Sequence, residues 1–159
     1  TADAAARLVI SNALFFGRGK LSDIVVPWCT YTDPEIAHTG MYEQDALEQG
    51  IEVQTFRVDF DDVDRAVADG ATEGFVKVHL NAESDEILGA TIVAPHAGEM
   101  ISELTLAIQA GVGLKQIAQV VHPYPTQAEA IRHIADQYNK TRLTPLVEGL
   151  LKRLLSWRR

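Results

Sequence analysis

The side chains best equipped for chemistry crowd into one short stretch, His122-Pro-Tyr-Pro-Thr-Gln-Ala-Glu129. It holds an imidazole, a phenol and a carboxylate. A histidine moves protons near neutral pH, and a carboxylate takes them up at lower pH. A phenol with a pKa of about 10 keeps its proton and offers a hydroxyl donor. Structural readings stand beside these chemical ones. Thr126-Gln-Ala-Glu129 has the form of a capping box, in which the Glu bonds back to the backbone at the helix start. Tyr124, between Pro123 and Pro125, suits a half-buried aromatic in a proline-rich turn. The residues alone leave these readings open.

Elsewhere the chemistry is sparse. The five histidines, His38, His79, His96, His122 and His133, show no i, i+4 pair, so no metal site is expected. Cys29 is the one cysteine, which excludes an internal disulfide and any zinc site built from cysteine pairs. A single thiol fits a reducing cytoplasm. Cys29 sits in an apolar run beside Trp28, the setting of an inert buried thiol, and His79 reads as a sheet-face residue. Glu99 and Glu103 fall at i, i+4 as a carboxylate pair would, but charge and exposure near a helix start explain them more simply. Gly17-Arg-Gly-Lys20 lacks the glycines and the Lys-Ser or Lys-Thr of a phosphate loop and reads as a helix stop.

Composition narrows the classes further. A net charge of -8 argues against a nucleic-acid surface. No apolar run reaches the roughly 18 residues of a membrane span. The start, Thr1-Ala2-Asp3, shows no signal peptide, and the missing initiator Met suggests a fragment or a processed chain.

These residues must be positioned by a mixed set of elements. A helix is expected over 3–16, a short apolar strand over 24–31, and a turn at Thr32-Asp-Pro-Glu35. Residues 43–48 read as a short helix closed near Gly50, residues 51–60 as a strand with one wet face, and 63–68 as a helical turn. Residues 74–80 and 87–94 flank the polar stretch 81–86 as a hairpin, whose second arm is apolar enough to be central. Met100, Ile101, Leu104, Ile108 and Val112 keep helical spacing, 114–120 reads as a shorter helix, and Thr126–Tyr138 as a last one. The expected fold class is α+β: a mainly antiparallel β-sheet with helices packed on it.

Three motifs occur in order: Thr32-Asp-Pro-Glu-Ile-Ala-His-Thr-Gly40, Gly89-Ala-Thr-Ile-Val-Ala-Pro-His-Ala-Gly-Glu-Met-Ile-Ser-Glu103, and His122-Pro-Tyr-Pro-Thr-Gln-Ala-Glu129. As a set they resemble the C-terminal dimerisation domain of the pyridine nucleotide-disulfide oxidoreductases, the family of glutathione reductase, dihydrolipoamide dehydrogenase and mercuric reductase. The resemblance covers roughly residues 22–140. It implies that 1–20 is the tail helix of a preceding flavin-binding domain and 21–140 the dimerisation domain. It also implies FAD and NAD(P)H in the full-length enzyme, with neither expected on this fragment alone. The implied partners are a second copy, giving a homodimer, and the flavin and nucleotide domains of the same chain.

In that family a His-Pro-Thr segment reaches the partner subunit's flavin, and a Glu five positions after the His holds it. Counting back from Glu129 puts Tyr124 at the His position, followed by Pro125-Thr126. The resemblance therefore makes Tyr124, Glu129 and, secondarily, His122 the catalytic candidates. It gives Tyr124 and Pro125 the backbone that faces the flavin. Tyr at this place is mercuric reductase-like, and a protonated phenol suits orienting a substrate or stabilising negative charge. The vicinal Cys pair of mercuric reductases has no counterpart near Leu146-Val147-Glu148, which disfavours mercury as substrate.

Residues 141–159 form a separate signal. After Pro145, Leu146, Val147, Leu150, Leu151, Leu154 and Leu155 share one arc, with Lys152, Arg153, Arg158 and Arg159 adding basic charge. Such a helix packs on its own domain, binds a partner, or lies as a peripheral contact on an anionic membrane surface. A stand-alone dimerisation or scaffold module without catalysis is the alternative function. A small metal-dependent enzyme is disfavoured by the histidine spacing.

Overall fold

The computed structural model describes residues 1–157, apart from the side chains of Pro145, Leu146, Glu148 and Leu151. Helix α1 (Ala2–Leu14) is followed by strands β1 (Trp28–Thr30) and β2 (Glu35–Gly40), helix α2 (Glu43–Glu48), strand β3 (Val53–Asp59) and helix α3 (Asp64–Asp69). The hairpin β4 (Phe75–Asn81) and β5 (Ile87–Ala94) leads to α4 (Ala97–Ala110), α5 (Leu114–Ile117), α6 (Glu129–Thr141) and α7 (Pro145–Trp157). The strands form one antiparallel sheet in the order β1-β2-β5-β4-β3. The fold is α+β, and β5 takes the central place its apolar composition predicts.

Register decides which face is dry. Val76 pairs with Ile92 and Val78 with Ala90, while Ala37 pairs with Ile92 across the other side of β5. Side chains alternate across a sheet, so these residues share one face with Val58 and Phe56 of β3. Helices α4 and α6 cover that face. Helix α4 buries Met100, Ile101, Leu104 and Ala107, and α6 buries Ile131, Ile134 and Tyr138, whose ring meets Phe56 edge-on at 5.8 Å between centroids. The left-handed Gly111, at φ 64°, ends α4.

Two glycines permit a close crossing at the sheet's end. Gly89 lies against the backbone of Met41, where a Cβ would strike the Met41 carbonyl oxygen. Its pairing partner Gly40 has φ +78° and no room beside Leu88.

The far face carries His38, His79, Thr91, Lys77 and Arg57. His38 stacks on Tyr42 at 3.8 Å between ring centroids, and its nitrogens lie 3.0 Å from Thr91 Oγ1 and 3.2 Å from the Gly40 carbonyl. His79 Nδ1 lies 2.8 Å from Thr55 Oγ1. Burial lowers the pKa of both rings, and Lys77 adds to it. For His38 the Gly40 carbonyl and Asp45 oppose the shift in part, as Glu43 does for His79.

Two expectations need correction, and one strand had not been expected. The strand expected over 24–31 is hydrogen-bonded only at Trp28–Thr30, because Pro27 removes a donor and β1 is an edge. Glu35–Gly40 is a full strand between β1 and β5, although Pro34 and Gly40 bracket it as turn residues would. Helix α6 begins at Glu129 rather than Thr126, for a reason given below.

Truncating the fully buried Leu104 to Ala should cost about 2–5 kcal/mol, and Gly89→Ala at least as much, because backbone cannot move aside. Denaturant melts of the two variants check this. The histidines add a pH signature. An unfolded His binds a proton near pH ~6.5, whereas the buried rings resist it. Their contribution is thus complete above that value and is lost as pH falls through the lower folded pKa values. A His38→Gln/His79→Gln chain should lose less thermal stability than the parent between pH 7 and 5. Parallel losses would contradict that origin.

Candidate functional site

Between α5 and α6 the chain runs through Val120–Gln127 with two prolines, which donate no backbone hydrogen bond. Side chains therefore fasten this segment. The Tyr124 hydroxyl donates to Asp64 Oδ2 at 2.8 Å, tying the turn to the first residue of α3. Asp64 pushes the phenol above its usual range, first by accepting this bond and then by its charge, with partial burial and Glu129 adding. Tyr124 is 68% exposed and Pro125 is exposed beside it. The turn presents a protonated phenol to whatever docks there.

Glu129 is buried at the first turn of α6, where a carboxylate complements the helix dipole. Arg132 Nη1 lies 3.8 Å from it, and the Tyr124 hydroxyl is bonded to Asp64 instead. The capping box does not form. Thr126 Oγ1 donates to the Pro123 carbonyl at 2.8 Å, and the Glu129 N–H bonds the Thr126 carbonyl at 3.4 Å rather than its hydroxyl, closing a turn ahead of the helix. This delays the helix to Glu129. Gln127 Oε1 is buried without a hydrogen-bond partner, an acceptor left open beside the turn.

His122 points elsewhere. It is buried, with Nε2 3.0 Å from Glu103 Oε1 on α4 and Nδ1 3.3 Å from the Val120 carbonyl. His122 and Tyr124 are two residues apart, yet they bind opposite helices, α4 and α3. Glu103 is accordingly half-buried and paired, not the solvent-exposed charge its spacing suggested. Neither Asp64 nor Glu103 carries a local sequence signal. Each meets the segment across a long stretch of chain, 60 and 19 residues.

An apolar groove adjoins the turn, lined by Ala107, Val112, Ile117 and Pro123. On its rim Leu106 is 68%, Val120 51% and Val121 90% exposed. Cys29 lies apart, half-buried, with Sγ 4.0 Å from Glu35 Oε2. Burial first, and the Glu35 charge second, push its thiol up, which keeps it in the unreactive protonated form. On α7 Leu150 and Leu155 are 65% and 63% exposed. Leu146 and Leu151 side chains, Arg158 and Arg159, which completed the expected amphipathic pattern, lie outside the described residues.

Known proteins share the sequence pattern and fold of this domain. Residues 26–135 match the family model described as pyridine nucleotide-disulphide oxidoreductase, dimerisation domain. A dihydrolipoyl dehydrogenase of Thermus scotoductus is 37% identical over 124 residues, 78% of this chain and 27% of that protein. A mercuric reductase of Staphylococcus aureus is 36% identical over 133 residues, covering 84% of this chain and 24% of the relative. The chain thus spans about a quarter of the length of these relatives. The HOCl-induced flavoprotein disulfide reductase RclA from Escherichia coli shares the fold, with TM-score 0.75 and 23% identity over 82% of this chain and 30% of that one. LpdA from Mycobacterium tuberculosis superposes with TM-score 0.74 and 25% identity, covering 83% and 29%. The chain belongs to the dimerisation-domain family of the pyridine nucleotide-disulphide oxidoreductases.

Proposed function

We propose that this chain completes the active site of an FAD- and NAD(P)H-dependent disulfide reductase-like flavoprotein and is inactive alone. In this reading two copies form an isologous homodimer, each lending its Tyr124 turn to the other's flavin. The observation that carries it is the turn itself: an exposed phenol near an apolar rim of Leu106, Val120 and Val121 that none of the described residues covers. Such a rim costs free energy in water and favours burial against another surface. The bare surface of α1 agrees with a helix from a preceding flavin-binding domain. None of its residues is buried here, and Phe15 and Phe16 are 73% and 95% exposed.

The residues present suit a flavin only as neighbours. They supply a hydroxyl and exposed backbone at Tyr124 and Pro125, with no cradle for a dinucleotide. Bound FAD supplies the relay of electrons from the nicotinamide. Tyr124 stays protonated, because its pKa lies above the usual range, and so does not take a proton from a thiol; its one hydroxyl proton goes to Asp64 here and turns from Asp64 to reach an acceptor at the partner's flavin. Such a donor orients an acceptor or stabilises charge developing on it. Glu129, with Arg132 beside it, holds the start of α6 under the turn.

In the full-length protein Tyr124→Phe should lower turnover roughly tenfold or more while flavin content stays intact. Unchanged steady-state kinetics across dithiol, disulfide and metal-ion acceptors would refute the role. Sedimentation should show a dimer that Val121→Asp dissociates; a monomeric parent at high concentration would contradict the reading. For α7 we further propose peripheral contact with anionic membrane, favoured by Lys152 and Arg153 beside exposed Leu150, Leu154 and Trp157. The full-length protein should co-sediment with vesicles rich in phosphatidylserine and not with neutral ones.

A further inference from the structure

The two side-chain bonds that tie the Tyr124 turn to helices differ in setting. Tyr124–Asp64 is exposed, whereas His122–Glu103 is partly buried. His122 is held at both ring nitrogens, by the Glu103 carboxylate and by the Val120 carbonyl. Both partners are acceptors, so the ring is pinned from two sides in one orientation. Glu103 in turn cannot drift, because Met100, Leu104 and Ala107 anchor α4 in the core on either side of it. Pro123 follows His122 directly and, with φ restricted to about -65°, passes that fixed position on to Tyr124.

We propose that His122 and Glu103 are positioning residues that fasten the 121–126 turn to α4, and so fix where Tyr124 stands, before a partner docks. His122 then acts through the turn and not on the reacting atoms. The proposal rests on Tyr124 being the group that meets the partner's flavin. The 3.0 Å contact runs across the groove wall, and a positioning role explains why a buried imidazole faces a carboxylate there.

The test uses the full-length flavoprotein and four variants: Glu103→Ala, Glu103→Gln, Tyr124→Phe, and Glu103→Ala with Tyr124→Phe. Glu103→Ala should lower kcat roughly tenfold, with KM for the nicotinamide nucleotide and flavin content unchanged. Glu103→Gln, whose carboxamide can bond either histidine tautomer, should keep most of the activity. In the double variant Glu103→Ala should add nothing to the loss from Tyr124→Phe. Additive losses, or full activity in Glu103→Ala, overturn the positioning role. If Tyr124→Phe alone is silent, the reading of Tyr124 fails instead. A crystal structure of Glu103→Ala then decides the pair by itself: a displaced 121–126 turn supports it, and an unmoved turn overturns it.

Discussion

The register of β5 between β2 and β4 determines which sheet face is dry, and the rest of the domain is arranged around that choice. With Ile92 set between Ala37 and Val76, every second residue of three strands points into one layer. A slip of one residue would turn Ile92 and Ala90 outward and bring Thr91 and Gly89 in. Gly89 and Gly40 guard against that slip, because they let the chain cross at Met41 at that point and nowhere else along the strand. Once the dry face exists, α4 and α6 must lie on it. Their placement carries Glu103 and Glu129 to the two sides of one proline-rich segment.

The polar groups obey the same geometry. Gln127 Oε1 lacks a partner, whereas other groups inside the fold are bonded: His38 to Thr91, His79 to Thr55, His122 to Glu103, and Thr105 Oγ1 to Thr39 Oγ1 at 3.1 Å. The exposed groups are the ones with chemistry to offer. Tyr124 keeps its proton through Asp64 and faces outward. Beside it, side chains that a soluble surface would rather cover stand open. A domain built this way has a finished core and an unfinished edge, in keeping with a chain that spans about a quarter of its relatives.

Wherever apolar spacing recurs locally, the elements were legible in the residues. The 43–48 helix, the 74–94 hairpin and the α4 stripe follow from periods of 3.6 and 2, because burial of one face imposes those periods. Strand β2 was not, since Glu35–Gly40 holds His38, Thr39 and a terminal glycine in place of an alternating pattern. Its strand character comes from the two neighbours that pair with it. The capping-box motif at Thr126 was legible and misleading, because the Glu129 N–H bonds the Thr126 backbone carbonyl instead of its hydroxyl.

Sequence by itself determined the fold class and the family resemblance through three ordered motifs, and from that resemblance comes the proposal that Tyr124 stands in place of a proton-shuttling histidine. These depend on residue type and order, which a linear chain displays in full. Tertiary structure alone decided that Tyr124 bonds Asp64, that His122 turns away to Glu103, and that the rim of Leu106 and Val121 stands uncovered. Those are distances between residues far apart in the chain, and no local spacing encodes them. They exist because packing α4 and α6 against one sheet face brings α3, α4 and the proline-rich segment to the same edge.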